Sequence, residues 1–168
     1  MNEDFDDVSA LAAMEGFVAD SVAQLSDFPG FAARSVELRG CYYGVDVEKT
    51  LEGHDTVHLR YEFPEPSWED PLVRETYPEE LASIWEVEGH EVEVDRDDSG
   101  AITHVSATRD DGIALYYTVL GKVLIEASLG GGSECVAVAD GEFTIPEPVG
   151  GVPPEQDIFS DSGPRESE

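Results

Sequence analysis

The segment Arg109-Asp110-Asp111-Gly112-Ile113-Ala114-Leu115-Tyr116-Tyr117-Thr118-Val119-Leu120-Gly121-Lys122-Val123 decides the fold. An Asp-Asp-Gly turn feeds an apolar, β-branched and aromatic run, and Leu120-Gly121 sends the chain straight into a second such run ending near residue 129. Connections this short leave no room for a crossover, so neighbouring strands must pair antiparallel. Working outward, the same pattern predicts strands at 90–95 and 101–108 joined by Arg96-Asp97-Asp98-Ser99-Gly100, and a last strand near 134–139 after Gly130-Gly131-Gly132. Residues 90–129 are expected to form a hairpin meander.

Upstream the period of two recurs. Val57, Leu59, Tyr61 and Phe63 point to one face, and His58, Arg60 and Glu62 to the other. In the preceding strand Val36 and Leu38 share one parity and Cys41, Tyr43, Val45 and Val47 the other, so a β-bulge is expected at Gly40. These strands should form a hairpin. Before them, Leu11, Met14, Val18, Val22 and Leu25 recur at helical spacing between Asp6 and Asp27, with Asp4, Asp6 and Asp7 at the end that favours negative charge. Phe63 to Pro71 is a Pro-interrupted loop with Trp68 inside it, and Pro78-Glu79-Glu80 opens a short helix to about Trp85.

The fold class is therefore α+β. One amphipathic N-terminal helix packs on a mostly antiparallel sheet of about six or seven strands, with a short helix in an insertion, as a single domain over residues 1–145. Pro, Gly, Ser and acids dominate residues 146–168, which predicts a disordered acidic tail interrupted by the apolar pair Ile158-Phe159.

Of 168 residues, 38 are acidic and 9 are Lys or Arg, a formal net charge of -29. Such a chain repels phosphate backbones and anionic bilayers, so nucleic-acid and membrane-surface partners are excluded. At 40% hydrophobic residues it is too apolar for a fully disordered protein. The acids are spread through every segment, and Lys49 and Lys122 are the only lysines. This composition resembles that of salt-accumulating halophiles, where screening lengths fall to about 3 Å at molar salt. Stability is expected to fall as KCl is lowered from molar to ~0.1 M, where the screening length is about 10 Å. Thermal melts followed by circular dichroism across that range check it, and an unchanged Tm would remove the halophile reading.

The start Met1-Asn2-Glu3-Asp4-Phe5-Asp6-Asp7 lacks the basic and apolar regions of a signal peptide, and no apolar run approaches the ~20 residues of a membrane span. A cytoplasmic location is expected. Cys41 and Cys135 stand far apart with no metal-ligand spacing, and are expected as buried reduced thiols, with one long-range disulfide as the alternative.

Asp95 to Ile102 resembles the start of an EF-hand calcium loop, with oxygens at Asp95, Asp97 and Ser99 and Gly100 at the turn. Ser106 stands where the bidentate Glu belongs, and a strand pattern replaces the helix before the loop, so an acidic hairpin turn without metal is expected. His54 and His58 lie four residues apart on a strand, about 13 Å, too far for one ion. With Val94 opposite Ile102, His90 and His104 would share a face of the first hairpin and approach diagonally. No nucleophile elbow, phosphate loop or H-E-x-x-H occurs, so no catalytic residue and no cofactor are assigned.

The leading expectation is a non-enzymatic module that binds itself or another protein through a sheet face or edge, as a homodimer. Tyr42-Tyr43 and Tyr116-Tyr117 put a tyrosine on each face, and one helix is too small to cover both. The alternative is a small-ligand binder or enzyme with an aromatic-lined pocket between helix, insertion and sheet. The candidate surface in either case comprises Tyr43, Trp68, Trp85, His90, His104, Tyr116 and Tyr117.

Overall fold

Helix α1 (Asp7–Val22) begins at a capping box in this computed structural model, which describes residues 2–42, 50–141 and 143–161. Asp6 Oδ1 accepts from the Ser9 amide at 2.8 Å while the Asp6 amide donates to Ser9 Oγ at 3.0 Å, satisfying two otherwise open groups at the helix start. All five residues of the apolar stripe are buried. At about 1.5–3 kcal/mol for each large side chain, that stripe fixes α1 against the sheet.

Among the described residues the sheet has eight strands. β1 (Ala33–Tyr42) and β2 (Thr50–Glu62) pair antiparallel, with the register shifting between Gly40 and Tyr42 as the parity switch predicts. From β2 the insertion runs through a π-helical turn (Leu72–Thr76) into α2 (Tyr77–Val87) and delivers the chain to the far edge. There β3 (Glu91–Arg96), β4 (Ile102–Thr108), β5 (Ile113–Val119) and β6 (Val123–Leu129) form the meander, which returns to lay β6 beside β2. The two-residue β7 (Val136–Ala137) pairs with β2 beyond the end of β6. α1 packs on β2, β5 and β6, and α2 on β3 and β4, so both helices cover the same face.

Two expectations are corrected. Cys41 and Cys135 are joined in a disulfide, with Cα atoms 5.9 Å apart, because β1 and β7 flank the same stretch of β2 around Asp55 and bring the two cysteines together. The segment after residue 145 is not without structure as far as residue 161. It closes on the domain and ends in β8 (Asp157–Asp161), parallel to β1, while residues 162–168 lie outside the described residues.

A buried charge explains the second correction. Arg34 on β1 is 2% exposed and donates to both carboxylate oxygens of Asp157 at 2.7 Å, to Glu15 Oε1 of α1 at 3.1 Å and to the Pro146 carbonyl at 2.7 Å. Tyr61 donates to Glu15 Oε2 at 2.5 Å and accepts from the Val149 amide at 2.9 Å. A buried guanidinium must be paired to be tolerated, and here two of its partners lie after residue 145. Backbone contact adds to this: Phe31 donates to the Gly150 carbonyl at 3.0 Å, and a Cβ on Gly150 would meet the Phe31 nitrogen at 2.9 Å.

Candidate functional site: the open face of the sheet

Of the candidate aromatic residues, Trp85 and Tyr117 fill the space between helix, insertion and sheet, while Trp68 packs half-buried against the core and also lines an open surface pocket with Glu65, Pro66, Glu69 and Gly121. Trp85 is buried with Nε1 donating to Ser21 Oγ at 3.0 Å, Tyr117 donates to the Val73 carbonyl at 2.5 Å, and Trp68 donates to the Phe63 carbonyl at 2.8 Å. Each ring closes the core while its polar tip is satisfied, the usual solution for a buried Trp or Tyr.

The histidines are separated as well. Val94 faces Val105, three residues from the expected Ile102: the turn closes on the pair Arg96 and Ile102, two residues off, and a bulge at Asp95/Arg96 adds one more. A register change by an odd number of residues exchanges the two faces. His90 therefore lies on the helix side, its ring 5.2 Å from that of Phe17 with Glu88 beside it, whereas His104 stands on the opposite face against Thr118 Oγ1 and the Tyr116 ring. Tyr43 lies outside the described residues.

The calcium-like loop is a closed turn. Asp97 Oδ1 accepts from the Ser99 amide, the Ser99 hydroxyl and the Ala101 amide, and these bonds hold its carboxyl below the usual carboxylate range. Among the described residues no group of three or more His, Cys, Asp or Glu side chains is arranged to hold a metal ion. Titration calorimetry with calcium is expected to show no tight site, and Asp97→Asn is expected to change nothing in that titration.

The face away from the helices is polar, which corrects the expectation that apolar residues there need a further cover. Its central row runs Ser106, Tyr116, Glu126, Arg60 and Ser35 across β4, β5, β6, β2 and β1, each residue the direct partner of the next. Beside that row Glu37 is paired with His58, and Arg39 with Thr56. All of these but Ser106 and Thr56 line a cleft of about 530 Å³, rimmed by Gly131 and Gly132.

Its electrostatics are built from near neighbours. Glu37 and Arg39 form an ion pair along β1, and Arg60 meets Glu126 across strands at 3.6 Å. His58 Nε2 lies 3.0 Å from Thr56 Oγ1. Burial, helped by the positive charge of Arg39 and opposed by Glu37, holds the His58 pKa below its ordinary value, which favours the neutral ring at neutral pH. Gly131 and Gly132 sit at φ of 73° and 95°, and a Cβ on Gly132 would stand 3.4 Å from His58 Cε1, so the rim is kept free of side chains where it passes the imidazole.

The parity of β1 and β2 announces half of this site, since Glu37 and Arg39 alternate with Val36 and Leu38, and His58 and Arg60 with Val57 and Leu59. Tyr116 and Glu126 join it only through the pairing of β6 with β2, which no local pattern encodes. No protein-family model, curated protein or solved structure matches this chain.

Proposed function

We propose that this chain is a non-catalytic binding protein whose working surface is the open face of its sheet, with the cleft over β1, β2, β5 and β6 receiving a small polar ligand. One observation carries the reading. In a chain with nine Lys and Arg residues, Arg39 and Arg60 stand in the same concave, polar-lined cleft around a half-buried histidine. Its volume falls within the ~300–1,000 Å³ common for ligand sites. The cytoplasmic location expected from the sequence belongs to this reading, and among the described residues no helix is long and apolar enough to cross a membrane.

Chemical-shift mapping with a polar-metabolite mixture tests it. Perturbations gathered around His58, Arg60 and Tyr116 are expected, and perturbations confined to other surfaces, or none, would overturn the proposal.

A second reading, self-association, is supported by the β8 edge. Ile158 and Phe159 there are 57% and 42% exposed, whereas the opposite edge, β3, carries Glu91, Glu93 and Asp95. Unprotected edge strands pair with one another, and charged ones resist it. Light scattering in molar KCl is expected to give a dimer that Phe159→Asp dissociates. A single 18.2 kDa species at tens of micromolar would remove this reading.

A further inference from the structure

The charges in the cleft balance. Arg39 and Arg60 are matched by Glu37 and Glu126, so the site is locally neutral in a chain of net charge -29. A simple anion would be repelled at long range and would then have to compete with two carboxylates already beside the guanidiniums. A simple cation would meet the converse competition from the arginines. A molecule carrying both charges can engage a carboxylate and a guanidinium together and leave the cleft neutral.

The register sets how far apart those charges should be. Glu37 is the direct partner of His58, and Arg60 lies two residues farther along the same strand, which makes Glu37 and Arg60 diagonal neighbours. Diagonal neighbours on one sheet face stand about 7–8 Å apart, and two residues of extended peptide span about 7 Å. Tyr116, the partner of Glu126 on β5 in the same row, offers a ring face or hydroxyl at the same end as Arg60.

We propose that the ligand is a short peptide-class zwitterion, a dipeptide with free ends, whose ammonium meets Glu37 and whose carboxylate meets Arg60 above the His58 ring. Gly131 and Gly132 bound the space that its backbone occupies. This inference rests on the reading of the open face as the binding surface and adds the chemical class of what binds there.

The probes are glycylglycine and alanylalanine, titrated into the full chain in molar KCl while the His58 ring resonances are followed by NMR. Both dipeptides are expected to shift those resonances. N-acetylation or C-terminal amidation is each expected to weaken binding about tenfold, since either removes one charge-assisted contact. Arg60→Gln is expected to abolish the preference for the free carboxylate, and Glu37→Gln that for the free ammonium, with circular dichroism confirming that both variants fold. If blocked and free dipeptides bind equally, or if neither dipeptide perturbs the cleft while another component of the metabolite mixture does, the zwitterion proposal fails and the binding face stands. If nothing perturbs the cleft, both fail.

Discussion

Arg34→Met is expected to lower the stability of the domain by about 3–5 kcal/mol, the usual cost of removing one partner from a buried ion pair. For a chain of this length that is a fall in Tm of roughly 6–20 °C. The methionine keeps most of the aliphatic stem, so the loss comes from Glu15 and Asp157, which are left without their guanidinium, and from the Pro146 carbonyl. Burial already raises the Glu15 pKa against the lowering effects of Tyr61 and Arg34, and without Arg34 it rises further. The sign follows from linkage: a carboxyl whose folded pKa lies above its unfolded value contributes most below the unfolded value, and that contribution is lost as pH rises through the folded one. The variant therefore loses more stability than the parent between about pH 4.5, the ordinary value, and neutrality. Urea titrations at several pH values, with amide exchange on β8, measure both effects, and adding Glu15→Gln should restore part of the loss. A change within 0.5 kcal/mol, the ordinary range for surface substitutions, with β8 still protected would refute the assignment of Arg34 as the anchor.

The second large effect is on the disulfide. Cys41 and Cys135 are 94 residues apart, so the bond removes substantial freedom from the unfolded chain, and reducing it is expected to cost about 2–4 kcal/mol. The urea midpoint with and without reductant, compared with Cys41→Ser/Cys135→Ser, gives the number. Two thiols titrating in the native protein without reductant, with an unchanged midpoint, would show that the bond contributes nothing. Because disulfides persist mainly in oxidising compartments, alkylation trapping in cells also tests the proposed cytoplasmic location.

Much of the fold was legible because local patterns decide it. The α1 stripe, the bulge at Gly40, and the turns at residues 109–112 and 120–121 each depend on residues within a few positions of one another. What escaped depends on partners distant in sequence. Composition marks residues 146–161 as polar and flexible, and nothing local reveals that Asp157 completes the shell of Arg34. The cysteine pair depends on where β7 lands on β2. The face of His104 turns on a bulge at Asp95/Arg96 that shifts one hairpin and that the turn residues do not announce. The cleft was half visible, as alternating charge on β1 and β2, and its other half waited on strand order.

The bidentate bond between Arg34 and Asp157 also sets an order of events during synthesis. The two residues are 123 positions apart, so at about 5–20 residues per second the ribosome makes Arg34 roughly 6–25 s before the aspartate that pairs with it. Throughout that interval α1, β1 and β2 can come together, but the guanidinium has only Glu15 of its two carboxylates and the outer edge of β1 has no β8. The nascent domain therefore cannot complete this side until residue 157 has left the exit tunnel. A chain arrested before that point holds a buried charge without its bidentate partner and presents an open strand edge, the kind of edge that makes unfinished chains prone to aggregate.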